Sequence, residues 1–164
     1  MKSAIVEIFD FTRLAQGCVA GYEVSWPEVQ FELEGLSEPF SMTGIPEAIA
    51  QLLDKLVANA VSFQTAGTPI KIALEAAVTA HDASRITLVV INEGPKLAAA
   101  QPNTLFDPMV STRSGEGQHL GLGLYIARMI AEFNDGKVTL RDHRTGVAAA
   151  VELPGGHLTS RLLR

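Results

Sequence analysis

The chain has 164 residues and a formal net charge of −5, from 13 basic and 18 acidic side chains. With 47% hydrophobic and 19% charged residues it fits one packed domain and excludes a disordered chain. The acidic balance excludes the basic face of a nucleic-acid binder, and the single cysteine, Cys18, excludes an internal disulfide.

No apolar run approaches the ~20 residues of a membrane span, and Glu7 and Asp10 interrupt any signal-peptide core. These features predict a soluble, intracellular, single-domain protein. In chain order, residues 11–22 read as a modest helix with Leu14, Cys18 and Val19 on one side. Residues 29–36 alternate Val29, Phe31 and Leu33 with polar partners, the period of a half-buried strand. Residues 40–44 read as the second strand of a hairpin with it. Residues 45–63 form the clearest helix. Pro46 sits in its first turn, where a missing N–H costs nothing, and Ile49, Leu52, Leu53, Leu56, Ala60 and Phe63 recur at helical spacing.

Gly67, Thr68 and Pro69 break that pattern, after which Ile70, Ile72 and Leu74 alternate as a strand. Residues 86–91 are a β-branched run suited to a central strand covered on both faces. Between residues 93 and 121 periodicity disappears, and a stretch of that length marks a functional or mobile segment. A helix over 122–133 returns, with Leu122, Ile126, Met129, Ile130 and Phe133 on one face. Strands over 137–141 and 147–153 close the chain around a turn at Arg144, Thr145 and Gly146, leaving residues 155–164 as a tail. This order predicts an α/β two-layer sandwich with a mixed sheet.

Three features point to chemistry. Asn59 falls on the core-facing stripe of its helix, although asparagine is a poor mid-helix residue and a buried amide needs partners. It either bonds a neighbouring backbone group or offers its oxygen to a ligand or a hard cation such as Mg²⁺. Lys55, one turn earlier, is either a solvated surface lysine or a positive charge for a phosphate. Asn92, Glu93, Gly94 and Pro95 follow the central strand as a tight turn or as the rim of a crevice, where Gly94 admits a flat ligand. Residues 119–124 (HLGLGL) open a helix with glycines, which suits either close helix packing or phosphate. They lack the Gly-Lys-Ser/Thr of a P-loop, and Ile126 stands where a dinucleotide fingerprint needs Gly or Ala.

In sequence order these features resemble the ATP-binding catalytic domain of a bacterial sensor histidine kinase, whose fold is shared with gyrase and MutL. QLLDKLVANAVSF (51–63) resembles the N box, NEGPKL (92–97) the G1 box, and LFDPMVSTR (105–113) the F box and lid. HLGLGLYIARMIAEFNDGKVTL (119–140) resembles the G2 box with its helix, and GVAAAVELP (146–154) the closing strand. The resemblance implies a Bergerat (GHKL) ATP-binding fold: a mixed sheet on about three helices with a mobile ATP lid.

It further implies that Asn59 holds Mg²⁺, that Asn92 hydrogen-bonds the adenine amino group, and that Gly94 backs the purine beside Phe63. Gly121 and Gly123, with the backbone N–H groups of Leu120 and Leu122, would meet the phosphates, and Arg113 would reach the β- or γ-phosphate. The chain departs from the pattern at five positions. Lys55 replaces the first Asn of the N box, and Ser62 replaces its basic residue. Asn92 replaces the Asp of G1, Lys96 its second Gly, and His119 the leading Gly of G2. An Asn keeps the acceptor but loses charge assistance. Lys55 is a candidate to replace the charge missing at Ser62. His119 either packs, faces solvent or touches phosphate.

No catalytic residue is identified. His81, His119, His143 and His157 lie outside the family's phosphoacceptor context, so the accepting histidine is expected on a separate helical hairpin of a parent kinase. Residues 1–10 would be a remnant of the connector from that hairpin, and residues 1–164 one monomeric catalytic domain that transfers the γ-phosphate of Mg²⁺–ATP. A response regulator would be reached through the parent kinase. The domain would be cytoplasmic, whether or not the parent sits in the inner membrane, and would bind no nucleic acid. Alternatives are an ATPase or anti-sigma serine kinase of the same fold, or a non-catalytic docking module. The hydrolases carry a Glu where this chain has Lys55, which argues against hydrolysis.

Overall fold

The computed structural model describes residues 5–78, 84–97 and 122–155. In chain order the elements are β1 (Glu7–Asp10), α1 (Phe11–Ser25), β2 (Phe31–Glu34), β3 (Ser41–Gly44) and α2 (Pro46–Phe63). There follow β4 (Ile70–Val78), β5 (Ser84–Glu93), α3 (Leu122–Phe133), β6 (Lys137–His143) and β7 (Gly146–Pro154). Five strands form a sheet in the order β2-β4-β5-β7-β6. It is mixed: β2 runs parallel to β4, and the other neighbours are antiparallel. β1 and β3 make a separate antiparallel ribbon.

Alternation along the strands decides which side the helices cover. Ile70, Ile72 and Leu74 of β4 share one face with Ile86, Leu88 and Val90 of β5 and with Val147, Ala149, Val151 and Leu153 of β7. That face packs on Phe11, Ala15 and Val19 of α1, on Ile49, Leu52, Leu53, Leu56 and Val57 of α2, and on Ala127 and Ala131 of α3. The predicted two-layer α/β sandwich is therefore the observed one. The expectation that β5 buries side chains on both faces also holds. Its opposite side chains, Val89 and Ile91, lie in a small sheet-surface cluster with Ala73, Ala148 and Ala150. Val89 is 4% exposed and Ala148 fully buried on that side.

One expectation about the strands is corrected. The hairpin predicted between residues 29–36 and 40–44 does not form, because β3 pairs with β1 while β2 pairs with β4. The intervening segment is tied to α1 instead. Phe40 O accepts from Phe11 N at 2.7 Å, Glu38 O from Thr12 Oγ1 at 2.7 Å, and Leu36 O from Gln16 Nε2 at 2.8 Å. Those bonds, with Leu36 and Phe40 buried, lead the chain away from a tight turn. On α3 the buried residues are Ala127 and Ala131, whereas Met129 is 50% and Phe133 74% exposed. Small side chains bring this helix close to its neighbours, and part of the bulky stripe faces outward.

Asp10 caps α1 by accepting from Arg13 N at 3.2 Å. Further along α1, Tyr22 joins that helix to α2. Its ring lies 5.9 Å from those of Trp26 and Phe31, and its hydroxyl donates to Asp54 Oδ1. Burial, then the Asp54 carboxylate, pushes Tyr22 ionisation far above the ordinary tyrosine range. In the unfolded chain tyrosine ionises near pH ~10. The contribution is therefore fully present below that pH and is lost as pH rises beyond it, because the native state keeps the proton longer. Tyr22→Phe is expected to cost about 1–2 kcal/mol at neutral pH and to flatten the alkaline fall in stability. Denaturant melts across pH 7–11 check this, and an unchanged alkaline limb would refute it.

Candidate functional site

The inward alternation of β5 runs Ile86, Leu88, Val90 and then Asn92, which is 2% exposed. A polar side chain thus ends a row of core residues, on the side of the sheet that carries the helices. Its Nδ2 donates to Glu93 O at 3.3 Å. The chain leaves the sheet at once: Gly94 has φ +152°, a conformation that side chains disfavour. Two backbone bonds fix this exit. Gly94 N donates to Thr145 O at 3.0 Å, and Thr65 N donates to Glu93 O at 2.8 Å. A Cβ on Gly94 would lie 2.2 Å from Phe63 O and 3.5 Å from Asn92 Nδ2. Phe63, Asn92 and Gly94 are thereby brought together where α2 ends, β5 ends and the β6–β7 turn crosses.

A second close approach lies midway along the same helix face. The Lys55 side chain runs past the first turn of α3, with Cδ 4.0 Å from where a Gly123 Cβ would stand. The N–H groups of a first turn lack intrahelical acceptors and carry the positive end of the helix dipole. Leu122 and Gly123 therefore present donors beside a cationic side chain. Asn59 follows Lys55 by one turn and precedes Phe63 by one, so the three share a face. The expectation that Asn59 belongs to the buried stripe is corrected. It is half-buried on the flank, while Leu56, Val57 and Ala60 form the stripe. Ser62 is exposed and its Oγ donates to Ala58 O at 2.9 Å, one turn back on its own helix.

Arg113, His119, Leu120 and Gly121, with the F-box segment 105–113, lie outside the described residues. Sequence reasoning overlooked Gly146, which it read only as a turn residue. A Cβ there would stand 1.8 Å from Asn92 O, so this glycine lets β7 pass directly beside the end of β5. It also overlooked Gln64, whose Oε1 is buried without a hydrogen-bond partner among the described residues. Among those residues no group of three His, Cys, Asp or Glu side chains converges as a metal cage. The Asn59 amide is a suitable oxygen donor for Mg²⁺, which keeps several waters and takes further oxygens from a phosphate ligand.

Residues 44–157 match the sequence profile of the histidine kinase-, DNA gyrase B- and HSP90-like ATPases. The chain belongs to this ATPase family. It is 28% identical over 148 residues to the probable sensor histidine kinase TcrY of Mycobacterium tuberculosis, covering 88% of this chain and 30% of TcrY. It is 30% identical over 128 residues to the sensor protein CutS of Streptomyces coelicolor, covering 75% of this chain and 30% of CutS. The chain thus spans about 30% of the length of these curated relatives.

In three dimensions this ATPase-family chain superposes on the catalytic domain of histidine kinase ThkA with a TM-score of 0.80 at 25% identity. The match covers 93% of this chain and 97% of that one. The mycobacterial sensor histidine kinase MprB, at 18% identity, shares the fold with a TM-score of 0.76, covering 93% of this chain and 99% of that one. The chain is therefore an ATP-binding catalytic domain of the histidine-kinase type, in the Bergerat (GHKL) fold. The segments resembling the N and G1 boxes fall on α2 and at the end of β5, and the described part of the G2 segment opens α3. No helix among the described residues is long and apolar enough to cross a membrane.

Proposed function

We propose that this histidine-kinase-type domain binds Mg²⁺–ATP along one face of α2 and presents the γ-phosphate to a histidine on a separate helical hairpin. The observation that carries the reading is the pair of close approaches about two turns apart on that face. Phe63, Asn92 and Gly94 meet at one of them, and Lys55 meets Gly123 at the other. About 12 Å of helix separates Lys55 from Phe63, enough for an extended ligand with a flat head and an anionic tail.

In this reading Asn92 accepts a hydrogen bond from the adenine amino group, Gly94 admits the ring to the backbone, and Phe63 walls it. The N–H groups at the start of α3, with Gly121 and Leu120 leading into it, donate to phosphate oxygens. Lys55 supplies the positive charge, and Arg113 and His119 are further phosphate partners. Asn59 Oδ1 holds Mg²⁺, which when bound neutralises charge on the transferring phosphate. The protein's part is otherwise positioning, as befits phosphoryl transfer.

Residues 1–164 act as one domain of a larger cytoplasmic assembly, monomeric when isolated. Its parent kinase supplies the phosphoacceptor hairpin and the route to a response regulator. Lys55 at the place of the hydrolases' Glu speaks against water activation.

Calorimetric titration with Mg²⁺–ATP, followed by addition of a separately produced phosphoacceptor hairpin, tests this proposal. Micromolar to sub-millimolar binding and a labelled hairpin histidine are expected. No binding at millimolar nucleotide would favour a docking module, and rapid release of inorganic phosphate without transfer would favour a hydrolase. Lys55→Ala is expected to weaken ATP by roughly fivefold or more, in a salt-dependent way, and to leave adenosine unchanged. Unchanged ATP affinity would remove Lys55 from the phosphate site.

A further inference from the structure

The last inward-facing residue of β5, Asn92, is an amide, and an amide reads a purine edge differently from a carboxylate. Asn92 offers one acceptor, Oδ1, and two donors on Nδ2, whereas an ionised carboxylate offers acceptors only. A 6-aminopurine presents a donor at its amino group beside an acceptor at N1. A 6-oxopurine presents the reverse, an acceptor at O6 beside a donor at N1. An amide complements the first edge in one orientation and the second after a half-turn of its terminal torsion, which is broad and nearly two-fold.

What holds the Asn92 amide in place is therefore decisive. Among the described residues its one hydrogen bond is from Nδ2 to the adjacent Glu93 O, at 3.3 Å, the long end of the range for a backbone acceptor. Around it Gly146 packs on the Asn92 main chain and Gly94 lies beside the amide nitrogen, and no second described side chain is hydrogen-bonded to the amide. Because the residue is 2% exposed, water does not compensate a mismatched edge.

We propose that Asn92 makes the base site accept 6-oxopurine as well as 6-aminopurine nucleoside triphosphates. The inference rests on the reading of Asn92 as the base-binding residue. The observed orientation, with Nδ2 toward Glu93 O, leaves Oδ1 to accept from an amino group, so ATP keeps a modest preference. Turning the amide for a 6-oxopurine gives up the long bond to Glu93 and brings Oδ1 toward the Glu93 carbonyl, a cost that falls on the 6-oxopurine and adds to the preference for ATP. A carboxylate at the same place would set two acceptors against each other in a buried site, and such a site rejects the wrong edge by orders of magnitude.

Inosine triphosphate isolates the effect, since it differs from ATP at the C6 edge and has no 2-amino group. Dissociation constants for Mg²⁺–ATP and Mg²⁺–ITP are measured on the full chain, on Asn92→Asp and on Asn92→Ala, with thermal melts of each. The wild-type protein is expected to bind ITP within ~10-fold of ATP, and Asn92→Asp to widen that ratio by at least ~30-fold through loss of ITP. ATP binding with ITP rejected by the wild-type protein as strongly as by Asn92→Asp overturns the proposal and leaves the base-site reading standing. ATP affinity indifferent to Asn92→Ala, or no binding of either nucleotide, overturns that reading and the proposal together. If Asn92→Asp does not fold, the wild-type ratio decides: a gap of ~100-fold or more overturns the proposal.

Discussion

Gly94→Ala is expected to abolish measurable ATP binding and to destabilise the domain by about 3 kcal/mol or more. Two independent penalties meet at this residue. Its φ of +152° is a backbone conformation that an L side chain rarely adopts. The added Cβ would also stand 2.2 Å from Phe63 O, and a backbone carbonyl cannot swing aside as a side-chain tip can. Relief requires separating the end of α2 from the end of β5. That movement stretches the bonds from Thr65 N to Glu93 O and from Gly94 N to Thr145 O, and it pulls Phe63 away from Asn92. Stability and site therefore fail together. Gly17 and Gly21 on α1 provide the control, since a Cβ at either meets nothing within 4 Å. Alanine there is expected to be neutral or to stabilise by roughly 0.5–1 kcal/mol. Denaturant melts and ATP titrations on the three variants check the contrast, and a Gly94→Ala protein as stable as the α1 variants would refute the geometry.

Most of the layer architecture was legible because periodicity reports burial. The α2 stripe from Ile49 to Ala60 and the alternation of Ile70, Ile72 and Leu74 each name a face directly. Other features needed tertiary partners. Nothing local to residues 40–44 says that they pair with residues 7–10 rather than 31–34, since that choice depends on Gln16 and Thr12 binding the intervening carbonyls. The buried side of α3 is not legible in its sequence for a related reason. Bulky Met129 and Phe133 dominate an apolar pattern, yet Ala127 and Ala131 fit the close approach. Within the candidate site, Asn92 and Gly94 stood out because a polar residue and a glycine ended a core strand. Gly146 did not, because its role is set across the sheet by the backbone of Asn92. Asn59 was placed one step too far inward, since helical spacing alone does not separate the buried stripe from its flank.

That flank position gives the second large expected effect a clear signature. Asn59→Ala is expected to leave the fold intact while phosphate transfer to an added hairpin falls by at least ~100-fold. Asn59 is half-buried, and its side chain has no hydrogen-bond partner among the described residues, so truncation orphans no described group. Alanine is also the better mid-helix residue, by roughly 0.5 kcal/mol, and the melting temperature should hold or rise. A purely structural asparagine would behave in the opposite way, losing stability first and function in proportion. The metal reading makes a further demand. ATP affinity measured with Mg²⁺ and with a chelator should differ in the wild-type protein and converge in Asn59→Ala, because the amide oxygen that links protein to cation is gone. Asn59→Asp keeps an oxygen donor at that point and should retain the Mg²⁺ dependence. If Asn59→Ala kept the full difference between Mg²⁺ and chelator, the cation would have to be held elsewhere on the face.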